Sequence, residues 1–249
     1  MRNNLKYGGY VLLVLSAFLF AVSGIAGAQQ CQSTSNSGSG ENPADWWPGD
    51  NTPFDIVKGT EGSLQNGAGY GQGIVGQAFS FDGNNQNLME PNSQAWDFGS
   101  CDFSIILWAK SNAATQLAPL ISHNEGPGDA KKWIFWVDWG GLTFHINSPT
   151  LGPINVVNYD PFTLTPGVWY HLGVTRKGSL YVLYVNGLPV ASGTDSHAVP
   201  AANAPLMIGQ TEAYAFNGSI DEVKIYQRAL SPAEVRSFGF IQGASAATF

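Results

Sequence analysis

Charge is scarce in this chain. Only 12% of its 249 residues are Asp, Glu, Lys or Arg, and acidic residues outnumber basic ones 18 to 11. No basic run or stripe of the kind a phosphate backbone demands is present, which argues against nucleic acid as a partner. Acidic polysaccharides would be repelled too, unless a bound cation intervened. There are two cysteines, Cys31 and Cys101. They cannot build a thiolate zinc site with metal spacing. Gly-x-Ser-x-Gly elbows, His-Glu-x-x-His helices and phosphate-cradling glycine loops are absent. The one adjacent acid pair on a predicted strand, Asp221-Glu222, would point to opposite faces, so it offers no same-face carboxylate couple for hydrolysis. These absences argue for a protein that is not an enzyme.

Long apolar runs are also missing. The longest candidate, Tyr10–Val22, falls short of the roughly 20 residues a membrane helix needs. With Arg2 and Lys6 before it and Ala26-Gly27-Ala28 after it, it reads as a cleavable export signal over residues 1–28. An uncleaved anchor is the alternative. The expected location is secreted, periplasmic or cell-surface, with no stable membrane insertion after cleavage. Residues 29–41 are mostly Ser, Asn, Gly and Gln and read as a flexible tether. Residues 42–240 form a single domain by size, and 241–249 a frayed tail. Exported chains seldom leave thiols unpaired, so a Cys31–Cys101 bridge is expected.

What is present is a series of short apolar or alternating segments divided by Gly, Pro and Asn. The predicted strands are 77–81, 103–110, 117–124, 133–139, 142–147, 169–176, 179–185, 206–209 and 220–226. One short helix is expected at the C-terminal end. Ser231 is its N-cap, Pro232 its first residue, and Glu234 completes a capping box. Many short strands with little helix predict an all-β antiparallel sandwich or jelly roll. Asn186-Gly187 marks one hairpin. Gly140-Gly141 marks another, with Trp139 expected opposite Leu142. Strand alternation then places Trp133, Phe135, Val137, Trp139, Leu142, Phe144 and Ile146 in the core. Ile134, Trp136, Asp138, Thr143 and His145 lie on the other face. A Trp beside an Asp and a His suits a sugar, whose apolar ring face stacks while its hydroxyls bond the polar groups. A solvent-facing Trp beside an unliganded Asp–His pair is the bland alternative.

Landmarks in order resemble one known family. They run from Trp46-Trp47-Pro48-Gly49-Asp50 and Asp55-Ile56-Val57 through Gly62-Ser63-Leu64-Gln65-Asn66-Gly67 to Val75–Gly83. Asp102-Phe103-Ser104-Ile105 with Trp108, Trp169-Tyr170-His171-Leu172, Leu183–Gly187 and Phe216–Val235 follow. The chain resembles the laminin-G-like, concanavalin-A-like jelly-roll domains of secreted bacterial proteins; Cys101 departs from the pattern. The resemblance implies a binding module for a glycan or another cell-surface ligand. A glycan hydrolase or lyase and a protein-recognition module on the same fold remain open, as do the ligand and the oligomeric state. The resemblance also places Asp55 beside the strand that carries Asp221 and implies a structural Ca²⁺ there, with Asp50 near enough to contribute. Alternatively, Asp221 caps a turn or pairs with Lys224 or Arg228. His171 is expected to be a packed, hydrogen-bonded structural histidine.

Overall fold

Residues with small side chains and apolar β-branched or aromatic neighbours alternate over short spans, and each span pairs antiparallel with another. The computed structural model describes Cys31, 42–114 and 117–240; the predicted export signal, most of the tether and the tail lie outside these residues. One sheet runs, in spatial order, Leu188–Thr194, Leu180–Val185, Trp169–Lys177, Phe103–Ser111, Asn217–Tyr226, Gln77–Asp82 and Gly69–Gln72, with Asp45–Trp47 also paired to Asn217–Tyr226. The other runs Ile154–Tyr159, Gly141–Asn147, Lys132–Asp138, Leu117–Asn124, Leu206–Ile208, Asn87–Glu90 and Ser63–Gln65. The two sheets pack face to face as an antiparallel sandwich.

Aromatic rings join the layers. Phe103 and Tyr181 from the first sheet meet Trp133 and Phe144 from the second, with Phe103–Phe144 centroids 5.3 Å apart and Phe144–Tyr181 5.9 Å. Phe98 stacks on Phe103 at 4.1 Å. Offset and tilted pairs at these distances add to the burial that drives the layers together. Behind the first sheet, Ile106, Tyr184, Tyr226, Leu230 and Val235 form a second small cluster. The helix Pro232–Gly239 covers it, and its capping box is complete: Ser231 Oγ accepts from the Glu234 N–H, and Glu234 Oε2 accepts from the Ser231 N–H at 2.7 Å. Cys31 and Cys101 form a disulfide.

The 132–147 hairpin corrects one expectation. Its turn is Trp139-Gly140, with φ of 47° and 95°, and the closing pair is Asp138 with Gly141. Trp136 therefore faces Thr143, and Ile134 faces His145. Trp139 is 70% exposed, not core. The second glycine has a different job: a Cβ on Gly141 would sit 2.4 Å from Asn158 Oδ1 on the next strand. The turn moved by one residue, so the pairing moved by two, and a shift of two leaves every side chain on its expected face. The other core assignments stand, with Trp133, Phe135, Val137, Leu142, Phe144 and Ile146 all fully buried.

Candidate functional site

The outer face of the second sheet carries a groove of about 440 Å³. Trp136, Asp138 and His145 all line it, together with Lys132, Ile134, Asn147 and Glu212 among others. Two bulges lie at its floor. Phe135 pairs with Ile121 but Trp136 with Pro119, which leaves Leu120 unpaired. Pro119 has no N–H to offer a ladder, so a bulge is where this strand can hold it. The freed Leu120 carbonyl accepts from the Gly209 N–H at 3.0 Å. On the other side Phe144 pairs with Val157 but His145 with Asn155. Bulges re-aim side chains, and this one sets Asn155 Oδ1 2.8 Å from His145 Nδ1.

A small hairpin supplies one wall. Gln210–Thr211 pairs with Tyr214–Ala215, and Glu212 sits in its turn at φ 51°. Glu212 pairs with the buried Lys132 and lies 3.4 Å from Asn124 Nδ2. Tyr214 and His145 flank Trp136, with ring centroids at 6.2 and 6.3 Å. The result is a half-buried indole between two other rings. Burial holds the Asp138 carboxyl above the usual carboxylate range, with the His145 ring opposing it. Burial likewise lowers the His145 imidazole, with the hydrogen bond to Asn155 opposing it. Trp136 Nε1, Asp138 Oδ1 and Asn147 Oδ1 are buried here with no hydrogen-bond partner among the described residues.

The predicted metal residues divide between two places. Asp221 is fully buried at a bulge of Asn217–Tyr226, where Glu222 takes φ 53°. Along that edge, the pairing partner changes from Gln77–Asp82 to Asp45–Trp47. Asp221 Oδ2 fills the gap by accepting from the N–H groups of Ile74 (2.8 Å) and Val75 (3.2 Å). Its Oδ1 is buried without a partner among the described residues. Burial pushes its carboxyl up to about 7 against the pull of those amides. Asp50 grips the end of the same loop, accepting from the Gln77 N–H at 2.7 Å. A Cβ on Gly73 would lie 2.5 Å from Asp221 Oδ2, so the loop approaches the carboxylate too closely for any other residue there. Lys224 pairs with Glu222, and Arg228 with Glu234. Asp55 is held elsewhere. Its Oδ1 accepts from the N–H groups of Trp46 and Val57, and its charge acts on Asp45 and Glu90. Asp45 pairs with Lys58, and Glu90 accepts from Trp47 Nε1 at 2.7 Å. Among the described residues no three His, Cys, Asp or Glu side chains are grouped to hold a metal by themselves.

His171 is packed as expected, 5.2 Å from the Trp108 ring, and borders a second cavity of about 200 Å³ beneath the helix. It departs from expectation in one respect: its Nδ1 has no hydrogen-bond partner among the described residues. Sequence reasoning missed Lys132, Glu212 and Asn155 in the groove and Tyr214 against Trp136. Lys132 offered one signal, a base opening an apolar strand.

The family model for the concanavalin A-like lectin/glucanases superfamily matches residues 82–236. A curated relative, the sushi, von Willebrand factor type A, EGF and pentraxin domain-containing protein 1 of Rattus norvegicus, is 26% identical over 144 residues. The match spans 52% of this chain and only 4% of that protein. Domain 4 of an extracellular GH43 arabinanase from Geobacillus stearothermophilus, solved with arabinotriose, superposes with a TM-score of 0.67 at 20% identity, covering 80% of this chain and 98% of that one. The CBM40 of the Ruminococcus gnavus IT-sialidase, solved with α2,3-sialyllactose, gives 0.55 at 16% identity over 66% and 96% of the two chains. At these identities the likeness is one of fold.

Proposed function

We propose that this chain, which belongs to the concanavalin A-like lectin/glucanases superfamily, is an exported, non-catalytic glycan-binding module stabilised by a structural calcium ion. One observation carries the binding assignment. Trp136, flanked by the rings of His145 and Tyr214, shares a groove with the polar side chains of Asp138, Asn147, Asn155 and Glu212. A sugar presents an apolar ring face and hydroxyls that both donate and accept, so it fits both features at once. The two solved neighbours carry bound oligosaccharides, which supports the reading. Calcium would take Asp221, whose Oδ1 has no partner among the described residues, with Asp50, which accepts from the Gln77 N–H at the far end of the same loop. Backbone carbonyls and water would complete the six to eight oxygens it needs. The ion would offset the buried charge and tie the loop to the sheet.

Removing the indole tests the binding site. Trp136→Ala should weaken binding of the best ligand from a glycan array by about 1–3 kcal/mol in calorimetry while the melting temperature holds. Unchanged affinity would remove Trp136 from the site.

A hydrolase is the second reading, because Asp138 and Glu212 line one groove and the Asp138 carboxyl is held protonated more readily than usual. Glu212, however, is committed to Lys132. No reducing ends should be released from β-glucan, arabinan, chitin or pectin; sustained release lost in Asp138→Asn would establish the hydrolase instead.

A further inference from the structure

Resting on the glycan-binding reading, we propose that the groove takes uncharged glycans and rejects those bearing uronic or sialic acids, and that Glu212 sets this preference. The groove's ionisable lining consists of Lys132, Asp138, His145 and Glu212. Lys132 is its one fixed cation. It is only 3% exposed, and its ammonium is bonded to the Glu212 carboxylate, so its charge is already answered. The next base along, Lys131, acts on Asp97. An incoming carboxylate would therefore meet two carboxyl groups and no uncommitted cation in the lining, in a chain that is already acidic.

The position of Glu212 fits a specificity role. It comes from a separate hairpin, 80 residues from Lys132, takes φ 51° in the turn, and bonds both Lys132 and Asn124 through its carboxylate.

Calorimetry on the intact protein tests this. The ligands are arabinotriose, lactose, α2,3-sialyllactose, oligogalacturonate, and the same oligogalacturonate after carboxyl reduction. At least one neutral sugar should bind, and each acidic sugar should bind about tenfold or more weakly than its uncharged counterpart. Binding of the neutral sugar should not change with salt. Glu212→Gln frees the Lys132 ammonium and should raise the affinity for the acidic member of a pair, relative to the neutral one, by about tenfold. If that variant does not fold because it strands a buried cation, the double variant Lys132→Met, Glu212→Gln should still narrow the preference. Acidic sugars bound as tightly as neutral ones in the unmutated protein would overturn the inference and leave the glycan reading intact. An unaltered ratio in both variants would overturn the role of Glu212. Binding of none of the sugars would overturn the glycan reading and the inference with it.

Discussion

Trp139 carries two costs at once. It is 70% exposed, and its φ of 47° lies where a side chain with a Cβ is disfavoured by roughly 1–2 kcal/mol. The turn it forms with Gly140 is the kind that favours Asn-Gly. Trp139→Asn should therefore stabilise the fold by about 0.5–1 kcal/mol in urea unfolding. A loss of stability would mean that the ring holds a contact the hairpin depends on. His171 shows the opposite balance, a polar residue placed where charge is excluded. Burial, aided by the nearby Lys224, pushes its imidazole down to about 3. The folded state thus binds its proton far less readily than the unfolded chain, whose histidine titrates near 6.5. The neutral ring's contribution to stability is complete above about pH 6.5 and is lost as pH falls toward 3. His171→Asn lacks that proton. Relative to wild type, it should gain on the order of 3 kcal/mol between pH 7 and pH 4. Parallel curves for the two proteins would show that His171 does not titrate across folding. Comparing the pair also cancels the buried Asp45 and Glu90, whose raised carboxyls act in the opposite direction.

At the level of elements, hairpins show what can be read from residue types. Asn186-Gly187 was legible because both residues take positive φ, 50° and 75°, and Asn-Gly does this at low cost. Gly187 also packs against the C-terminal helix: a Cβ there would lie 2.9 Å from Arg236 Cα. Gly187→Ala should thus cost more than its turn strain alone, about 2–3 kcal/mol in total, because backbone cannot move aside as a side chain can. A cost under 0.5 kcal/mol would show the helix to be loosely docked. Gly140-Gly141 misled because one glycine serves a turn and the other a cross-strand contact, and sequence does not distinguish the two. Strands as short as Phe54–Asp55, Ser63–Gln65 and Gly69–Gln72 were missed, since two to four residues hold too little alternation to read. Ile154–Tyr159 was missed too, because adjacent buried valines, Val156 and Val157, between exposed Asn155 and Asn158 break its alternation. The groove shows the same division. Trp136, Asp138 and His145 share a face by strand alternation alone, and that was legible. Glu212 reaches the groove, and Tyr214 the Trp136 ring, on a hairpin remote in sequence, by tertiary approach, which periodicity does not report.

For the whole molecule, the point of interest is where one sheet edge changes partner. Gln77–Asp82 and Asp45–Trp47 both pair with Asn217–Tyr226 along the same side, and Asp221 lies between their contacts. That strand also pairs with Phe103–Ser111, so it sits centrally in its sheet. An uncompensated carboxylate at this depth is expensive, and two loop amides reach only one of its oxygens. A cation on the other oxygen would stabilise the folded state alone, because the unfolded chain has no such arrangement. The gain follows RT ln(1 + [L]/Kd), about 2.7 kcal/mol at a hundredfold excess over Kd. Chelator should therefore lower the melting temperature and added Ca²⁺ restore it. Asp221→Asn keeps the shape but removes the charge, so it should melt at one temperature whether calcium or chelator is present. Asp50→Asn should weaken the response without abolishing it, since Asp50 is exposed and contributes from the loop's far end. The opposite result is just as plain to read. A wild-type melting curve indifferent to chelator, with no metal found by elemental analysis of the purified protein, would mean that Asp221 is satisfied by the loop amides and a proton, and that the 73–77 loop needs no ion to stay in place.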